Sequence, residues 1–267
     1  MKHITRKHSR SLRVNQVKIH FTNKPITAWG GFSTIVAKLM EVLEFRSWVE
    51  YAIPIEEKSN NAKGIYQKLL ATFLNILSGG ERFSHLSWWN HGIEAIKKSF
   101  AVTSLPKAPS TLTRFWGKIS TQQLSEKLGE AARRFATTLI DWQGIREDTL
   151  NLDSSVLVRH GSQQGAIRGY NPTKRGRPSH HPLLAFIGAG YVVNVWNRSG
   201  NSGAGQGAVS FFHQTGMVLA DTFKITRVLC DSGFYEIAFI EYLESQSFTY
   251  IISVCQSPLR FSEKSSG

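Results

Sequence analysis

The chain has 267 residues, 41% of them hydrophobic, and a formal net charge of +13. That length and apolar content predict one or two domains with a sizeable core and exclude a disordered chain. The charge asks for a polyanionic partner, either nucleic acid or an acidic membrane surface. Every apolar run falls short of the roughly 18 residues that a spanning helix needs, and the basic N-terminus lacks the apolar core of a signal peptide. Nucleic acid in the cytoplasm is therefore the expected partner, with no membrane. The only cysteines, Cys230 and Cys255, each lie inside an apolar run; two thiols make neither a disulfide framework nor a four-ligand zinc site.

Residues 1–40 hold eight Lys or Arg and no acid; the first carboxylate is Glu41. Residues 1–25 read as a basic arm that follows phosphates, with Arg6, Lys7, Arg10 and Arg13 as its contacts. Residues 26–145 read as a helical, DNA-binding domain. Ile65, Leu69, Leu70, Phe73, Leu74 and Leu77 recur at helical spacing up to Gly79-Gly80. A second helix is predicted over Arg82–Phe100, with Trp88-Trp89 in the core. Pro106 and Pro109 mark a turn before a short helix at Ser110–Trp116. Ser120 with Gln123 forms a capping box, and Leu124, Leu128, Ala131, Phe135 and Leu139 mark a long amphipathic helix. Short helices joined by tight turns, with Arg114 and Lys118 exposed, suit a helix-turn-helix-like unit; a helical bundle with a basic face fits the same pattern.

The texture changes near Arg146. Short β-rich runs follow at 148–158, 183–189, 191–197, 225–230 and 248–255. The first three have no room for helices between them and are expected to pair antiparallel. Helices are expected at Gly207–Gly216 and around Ile237, Ile240 and Leu243. Three strands, helix, strand, helix, strand is the order of the ribonuclease-H-like fold, a mixed sheet with flanking helices. The predicted class is thus α+β or α/β, a helical N-terminal part followed by residues 146–267 as a ribonuclease-H-like domain, incomplete at its C-terminus.

Two aspartates stand at the ends of these apolar runs, Asp153 in Leu150-Asn151-Leu152-Asp153-Ser154-Ser155 and Asp231 in Leu229-Cys230-Asp231-Ser232-Gly233. By period two, Asn151, Asp153 and Ser155 share the strand face opposite Leu150 and Leu152. A carboxylate inside a strand needs compensation, and a divalent cation supplies it. Asp231 sits at a strand's carboxyl end, where ligands of open α/β sheets gather. Either residue alone is a turn or cap aspartate; the pair suits Mg2+ or Mn2+, which take hard oxygen ligands and keep waters for substrate phosphates. Between them, Arg168, Lys174, Arg175 and Arg177 lie on a glycine- and proline-rich loop that is expected to face a DNA backbone. His180 and His181 make a poor metal pair, because neighbours on an extended chain point to opposite faces. The stretch Gly200–Gly207 has neither GxGxxG nor a P-loop lysine and reads as a flexible connection.

Several stretches resemble the DDE transposases of bacterial insertion sequences: Leu152–Ser155, Gly161–Ala166, the run from Gly169 to Leu183, Arg198–Asn201 and Cys230–Phe234, and more loosely Thr27–Gly31 and Ser110–Phe115. The resemblance implies a ribonuclease-H-like enzyme that cuts and joins double-stranded DNA at transposon ends and target, associated with the bacterial nucleoid and assembling as a homo-oligomer on DNA. It carries catalytic and metal-ligand roles onto Asp153 and Asp231, and a DNA contact onto Arg198. The family also requires a glutamate on a later helix. The chain stops at Gly267 shortly past the fifth run, and Glu236, Glu241 and Glu244 lie on the helix directly after Asp231, the wrong one by topology. The expectation is a truncated transposase, inactive alone, or a non-catalytic DNA-binding derivative that competes for transposon ends.

Overall fold

The computed structural model describes residues 11–14, 17–20, 30–55, 63–90, 92–119, 121–171, 174–188 and 190–254. It divides into two compact units, Met1–Ala131 and Ala132–Gly267, within one long helix. Arg6, Lys7 and Arg10 of the expected arm lie outside the described residues, as do Ser120, Cys255 and the acid Glu263.

In the first unit, β1 (Ser11–Val14) and β2 (Val17–His20) form an antiparallel hairpin in which Arg13 pairs with Lys18. Five helices follow: α1 (Gly30–Val42), α2 (Phe45–Ala52), α3 (Ile65–Leu77), α4 (Ile93–Ser99) and α5 (Pro109–Gly117). Phe45 is fully buried, with its ring edge-on to Phe73 at 4.9 Å. Leu70, Leu112 and Phe115 are buried with it, and the Lys68 ammonium lies 5.5 Å from the Phe115 ring centre. Pro109 opens α5 in its first turn, where a missing N–H costs nothing.

The helix expected over Arg82–Phe100 is broken. A 3-10 segment covers Phe83–Asn90 and α4 begins only at Ile93. Gly92 takes a left-handed φ of 86° between them, which glycine adopts without steric cost. The tryptophan pair divides as well: Trp89 is buried, whereas Trp88 is exposed and stacks on His85 at 4.3 Å. The cap of α6 (Gln122–Trp142) is supplied by Thr121, whose hydroxyl accepts the Leu124 N–H at 3.3 Å.

The second unit is built on a five-stranded mixed sheet of β3 (Glu147–Ser154), β7 (Leu183–Ile187), β8 (Tyr191–Trp196), β9 (Lys224–Cys230) and β10 (Tyr250–Ile252), in the order β10-β9-β3-β7-β8. The first three strands in sequence pair antiparallel; β9 and β10 are parallel to β3. This is the ribonuclease-H-like order, with β3 at the centre. Helices α7 (Ala208–Leu219) and α8 (Ile237–Ser245) supply Phe211, Phe212, Leu219, Phe239 and Leu243 to one core with Leu150, Leu152, Ala185, Val193, Val228 and Cys230. Phe212 is edge-on to Phe239, Tyr242 and Phe248, at centroid distances of 5.0–6.1 Å.

The other face of the sheet is open. Pairing aligns Ile251, Leu229, Asn151, Phe186 and Val192 in one row across it, and Asp153, Leu184 and Val195 in the next. Ile251, Val192 and Val195 are 45–55% exposed, so an apolar face of a central sheet meets solvent here.

Two further departures shape the site. The run 148–158 is two strands: the chain leaves the main sheet after Ser154, and β4 (Leu157–Val158) joins a small sheet with β5 (Ile167–Arg168) and β6 (Pro178–His180), in the order β4-β6-β5. The basic stretch expected to be a loop is therefore anchored at both ends, by Arg168 opposite Pro178. Pro178 is tolerated because it is the first residue of its strand. The small sheet packs against the chain after β8: a Cβ on Gly169 would overlap the Gly200 carbonyl, and one on Gly200 would overlap the Ile167 and Ser179 carbonyls.

The two faces of the main sheet give opposite mutational outcomes. Phe212→Ala, which empties the centre of an aromatic cluster, should cost about 3–5 kcal/mol. Val192→Thr on the open face should stay within about 0.5 kcal/mol of the parent. Urea unfolding of both variants checks this, and an equal loss in the two would show that the second face is covered.

Candidate active site

The hydrogen-bond ladder between β3 and β9 brings the aspartates together. Leu150 pairs with Val228, Asn151 with Leu229 and Leu152 with Cys230. Asp153 and Asp231 are the next residues on these two neighbouring parallel strands, which run about 4.8 Å apart. Asp231 keeps an extended backbone, φ −78° and ψ 177°, so the alternation continues through it. Leu152 and Cys230 point into the helix-covered core, so both carboxylates point to the open face.

A bulge makes this register possible. Asp148 pairs with Ile225 but Thr149 with Arg227, leaving Thr226 unmatched. The extra residue lets Ile225 and Val228 both serve the core, although strict alternation would turn one of them outward. Beyond it, even-numbered residues of the two strands share the inner face, and Asp153 and Asp231 share the outer one.

Each carboxylate is oriented locally by one oxygen. Asp153 Oδ1 accepts the Ser154 N–H at 2.7 Å, and Asp231 Oδ1 accepts the Gly233 N–H at 3.0 Å. Asp231 is thus a turn cap as well as a strand-end acid. Asp153 is half-buried and Asp231 exposed. The adjacent Cys230 thiol is pushed up to about 12 by burial, and next by the negative charge of Asp231.

Behind this edge lies a polar frame that the sequence did not reveal. His181 donates from Nδ1 to the Ser202 carbonyl at 2.6 Å and accepts the Ser154 hydroxyl at Nε2, 3.2 Å away. His180 accepts Arg159 Nε–H at 2.9 Å and donates from Nε2 to the Gln164 carbonyl at 2.9 Å. Both rings are buried, and both nitrogens of each are engaged in these bonds. Arg198 turns inward. Its guanidinium donates to the carbonyls of His181 at 3.0 Å, Gly203 at 2.9 Å and Gln206, and burial lowers its pKa. These donors are spent on holding the 199–206 segment, which the sequence read as a flexible connection. The only sequence signal was an arginine before a glycine-rich run.

The remaining cations lie on surfaces. Arg168, Lys174, Arg175 and Arg177 are exposed on or beside the turn between β5 and β6. Arg114 on α5 and Lys118 just past it are exposed in the first unit. No group of three His, Cys, Asp or Glu that could hold a metal is found among the described residues. Glu244 accepts the Tyr250 hydroxyl at 2.8 Å, Glu236 lies over Gly205, and α8 packs on the face away from Asp153. No described helix is long and apolar enough to cross a membrane.

A family described as "Transposase DDE domain group 1" matches residues 9–259. No curated protein matches the chain. Among solved structures it is similar to a piggyBac transposase synaptic complex with hairpin DNA, at 12% identity and a TM-score of 0.44, over 90% of this chain and 53% of that one. It is also similar to a Mos1 transposase paired-end complex with the left transposon end, at 9% identity and a TM-score of 0.29, over 73% and 61% of the two chains. A Mos1 strand transfer complex matches at 12% identity and a TM-score of 0.28, over 76% and 63%. The chain spans about half the length of the piggyBac chain.

The Arg198 frame is open to a direct check. Arg198→Ala strands several carbonyls of the segment beside Asp231, each at a cost of about 1–3 kcal/mol if left buried and unpaired. Hydrogen exchange should quicken at the amides of residues 202–208, and urea unfolding should shift to lower concentration. Arg198→Lys should rescue little, because an ammonium does not span the same fork of acceptors.

Proposed function

The chain belongs to the DDE transposase family, and from that premise we propose that it serves metal-dependent DNA cleavage and strand transfer at the ends of a bacterial insertion sequence. The observation that carries the reading is the register of the two parallel strands, which pairs Leu152 with Cys230 and so ends one residue before Asp153 and Asp231.

The donor set fits a hard divalent cation. Two carboxylates at the ends of adjacent strands each spend one oxygen on a backbone N–H, which leaves the other oxygen for a ligand. Unscreened, the two charges repel, and a bound cation relieves that repulsion. Mg2+ or Mn2+ bound by Asp153 and Asp231 would supply charge stabilisation to an in-line phosphoryl displacement. The chain's own part is geometric. The ladder fixes the spacing of the carboxylates, Ser154 and Gly233 fix their rotation, and the 168–177 turn presents four cations where a phosphate backbone would approach the same edge.

Among the described residues no group of three His, Cys, Asp or Glu that could hold a metal forms, and this favours a second reading. In it the chain binds transposon ends without cutting them and competes with a complete enzyme. Loss of one ligand removes charge stabilisation worth several kcal/mol, and about 1.4 kcal/mol is tenfold in rate. Residues 1–267 by themselves should therefore bind a labelled transposon-end duplex yet neither nick nor join it, even in manganese. Cleavage that is abolished by Asp153→Asn and by Asp231→Asn would overturn this, and Glu236, Glu241 and Glu244 would become the first residues to test.

The two halves of the reading are measured separately. Calorimetric titration with Mn2+ should show binding weakened about tenfold or more by Asp153→Asn; equal affinity in the variant would remove Asp153 as a ligand. DNA affinity should fall with salt, and each phosphate contact contributes about 0.9 to the logarithmic slope. Replacing Lys174, Arg175 and Arg177 by Ala should make the slope shallower by on the order of 2–3. An unchanged slope would mean that this turn does not touch DNA.

A further inference from the structure

The first unit holds a cavity of about 540 Å3, within the roughly 300–1,000 Å3 of ordinary ligand sites. The ends of four helices meet around it. Met40 and Glu41 come from the last turn of α1, Glu44 from the turn after it, Arg46 from the start of α2, Tyr66 from the start of α3, and Phe100 from the chain just past α4. The transposase reading gives none of these residues a role.

The charges of the lining leave one carboxylate over. Arg46 Nε donates to Glu50 Oε1 at 3.2 Å, and its guanidinium lies 5.3 Å from the Tyr66 ring centre. Glu41 pairs with Lys38 at 3.3 Å. Glu44 has no ion pair among the described residues. It stands at the cap position of α2 with a left-handed φ of 48°, and its side chain accepts no backbone N–H there. Its N–H donates to the Glu41 carbonyl at 3.1 Å, so the two acids are the ends of one turn. The negative end of the α1 dipole falls on that turn, and the last turn of α1 carries no basic residue. Lys38 and Arg46 offset Glu41 and Glu50, and the charge of Glu44 remains for a monovalent cation.

Tyr66 narrows the kind of cation. It is only 8% exposed and lines the cavity, yet its hydroxyl makes no hydrogen bond among the described residues. Burial raises its pKa, so the hydroxyl keeps its proton while its oxygen can accept an N–H. A nearly buried hydroxyl without a partner costs free energy that a ligand donor recovers. Beside these oxygens Met40 and Phe100, both buried, form an apolar wall. Such a wall offers a metal ion no hard oxygen ligand. It covers methylene groups well, as it does in the stems of long cationic side chains. An ammonium group carries three donors, and Glu41, Glu44 and Tyr66 are three acceptors.

We propose that this cavity binds a small aliphatic amine in its ammonium form, with the charged end on Glu44, Glu41 and the Tyr66 hydroxyl and the alkyl chain along Met40 and Phe100. The site is separate from the DNA chemistry proposed above and stands without it. A ligand held there touches the ends of α1, α2 and α3 at once, and its binding therefore stabilises the folded first unit.

The test is calorimetric titration of the full chain with hexylamine at neutral pH, without DNA or metal, so that Asp153 and Asp231 play no part. Wild type should show one saturable site. Hexanol, which lacks the charge, and ammonium chloride, which lacks the chain, should not bind in the same range. Glu44→Gln should weaken hexylamine about tenfold or more. Tyr66→Phe, which keeps the ring beneath Arg46, should weaken it about fivefold. Glu130→Gln, at an exposed carboxylate on α6, should leave it unchanged. Urea unfolding without amine checks that the variants fold; with amine the midpoint should rise in wild type and not in Glu44→Gln. The absence of a saturable site in wild type, equal affinity in Glu44→Gln, or hexanol binding as tightly as hexylamine would overturn the proposal.

Discussion

Strand β9 has to satisfy the core and the sheet edge at once. Phe223, Ile225, Val228 and Cys230 all contribute to the apolar core, yet strict period-two alternation cannot turn both Ile225 and Val228 inward. The unmatched Thr226 resolves the conflict by inserting one residue into the ladder. Once Val228 and Cys230 lie inward beside Leu150 and Leu152, Asp153 and Asp231 must lie outward beside each other. A slip by one residue would send every one of these side chains to the wrong face. Core packing therefore enforces the juxtaposition of the two acids, and no direct attraction between like charges is needed.

The same alternation explains why the sheet has one dry face and one open face. Helices α7 and α8 and the end of α6 cover only the inner side, where Phe212 gathers three aromatic rings. The outer side carries the acids in one row and a continuous apolar row, from Ile251 to Val192, in the next. The outer face leaves Asp153 half-buried and Asp231 exposed. Helix α8 lies on the inner side, where Phe239 and Leu243 hold it.

Much of this was legible in the sequence, because the main strands are long enough to carry periodicity. Leu150 and Leu152 alternating with Asn151 and Asp153 predict both the strand and the side on which the acid lies. The antiparallel start follows from the short connections. What was not legible is short or convergent. Strands β4, β5 and β6 have two or three residues each, too few for any pattern, and two prolines argued against them. Gly92 breaks a helix whose apolar spacing runs on through it. Arg198 reads as a surface cation, and its role depends on carbonyls from residues 181, 203 and 206 that converge only in the fold. The bulge at Thr226 leaves no mark in composition at all.

The small sheet ties these parts into one device. Strand β6, which anchors the basic turn, leads through His180 and His181 into β7, which pairs with Asp153. The two histidines engage different neighbours, His180 with Arg159 and the Gln164 carbonyl, His181 with Ser154 and the Ser202 carbonyl. Each ring thus links the strand to a different neighbour. Glycines at 169 and 200 let the small sheet and the clamped segment touch through their backbones. Every cation of the turn is consequently held at a fixed offset from the acids, although none of them contacts Asp153 or Asp231. Charge that attracts a phosphate backbone and charge that binds a cation would cancel if they were adjacent. Among the described residues the fold keeps the cations of the turn out of contact with the two acids.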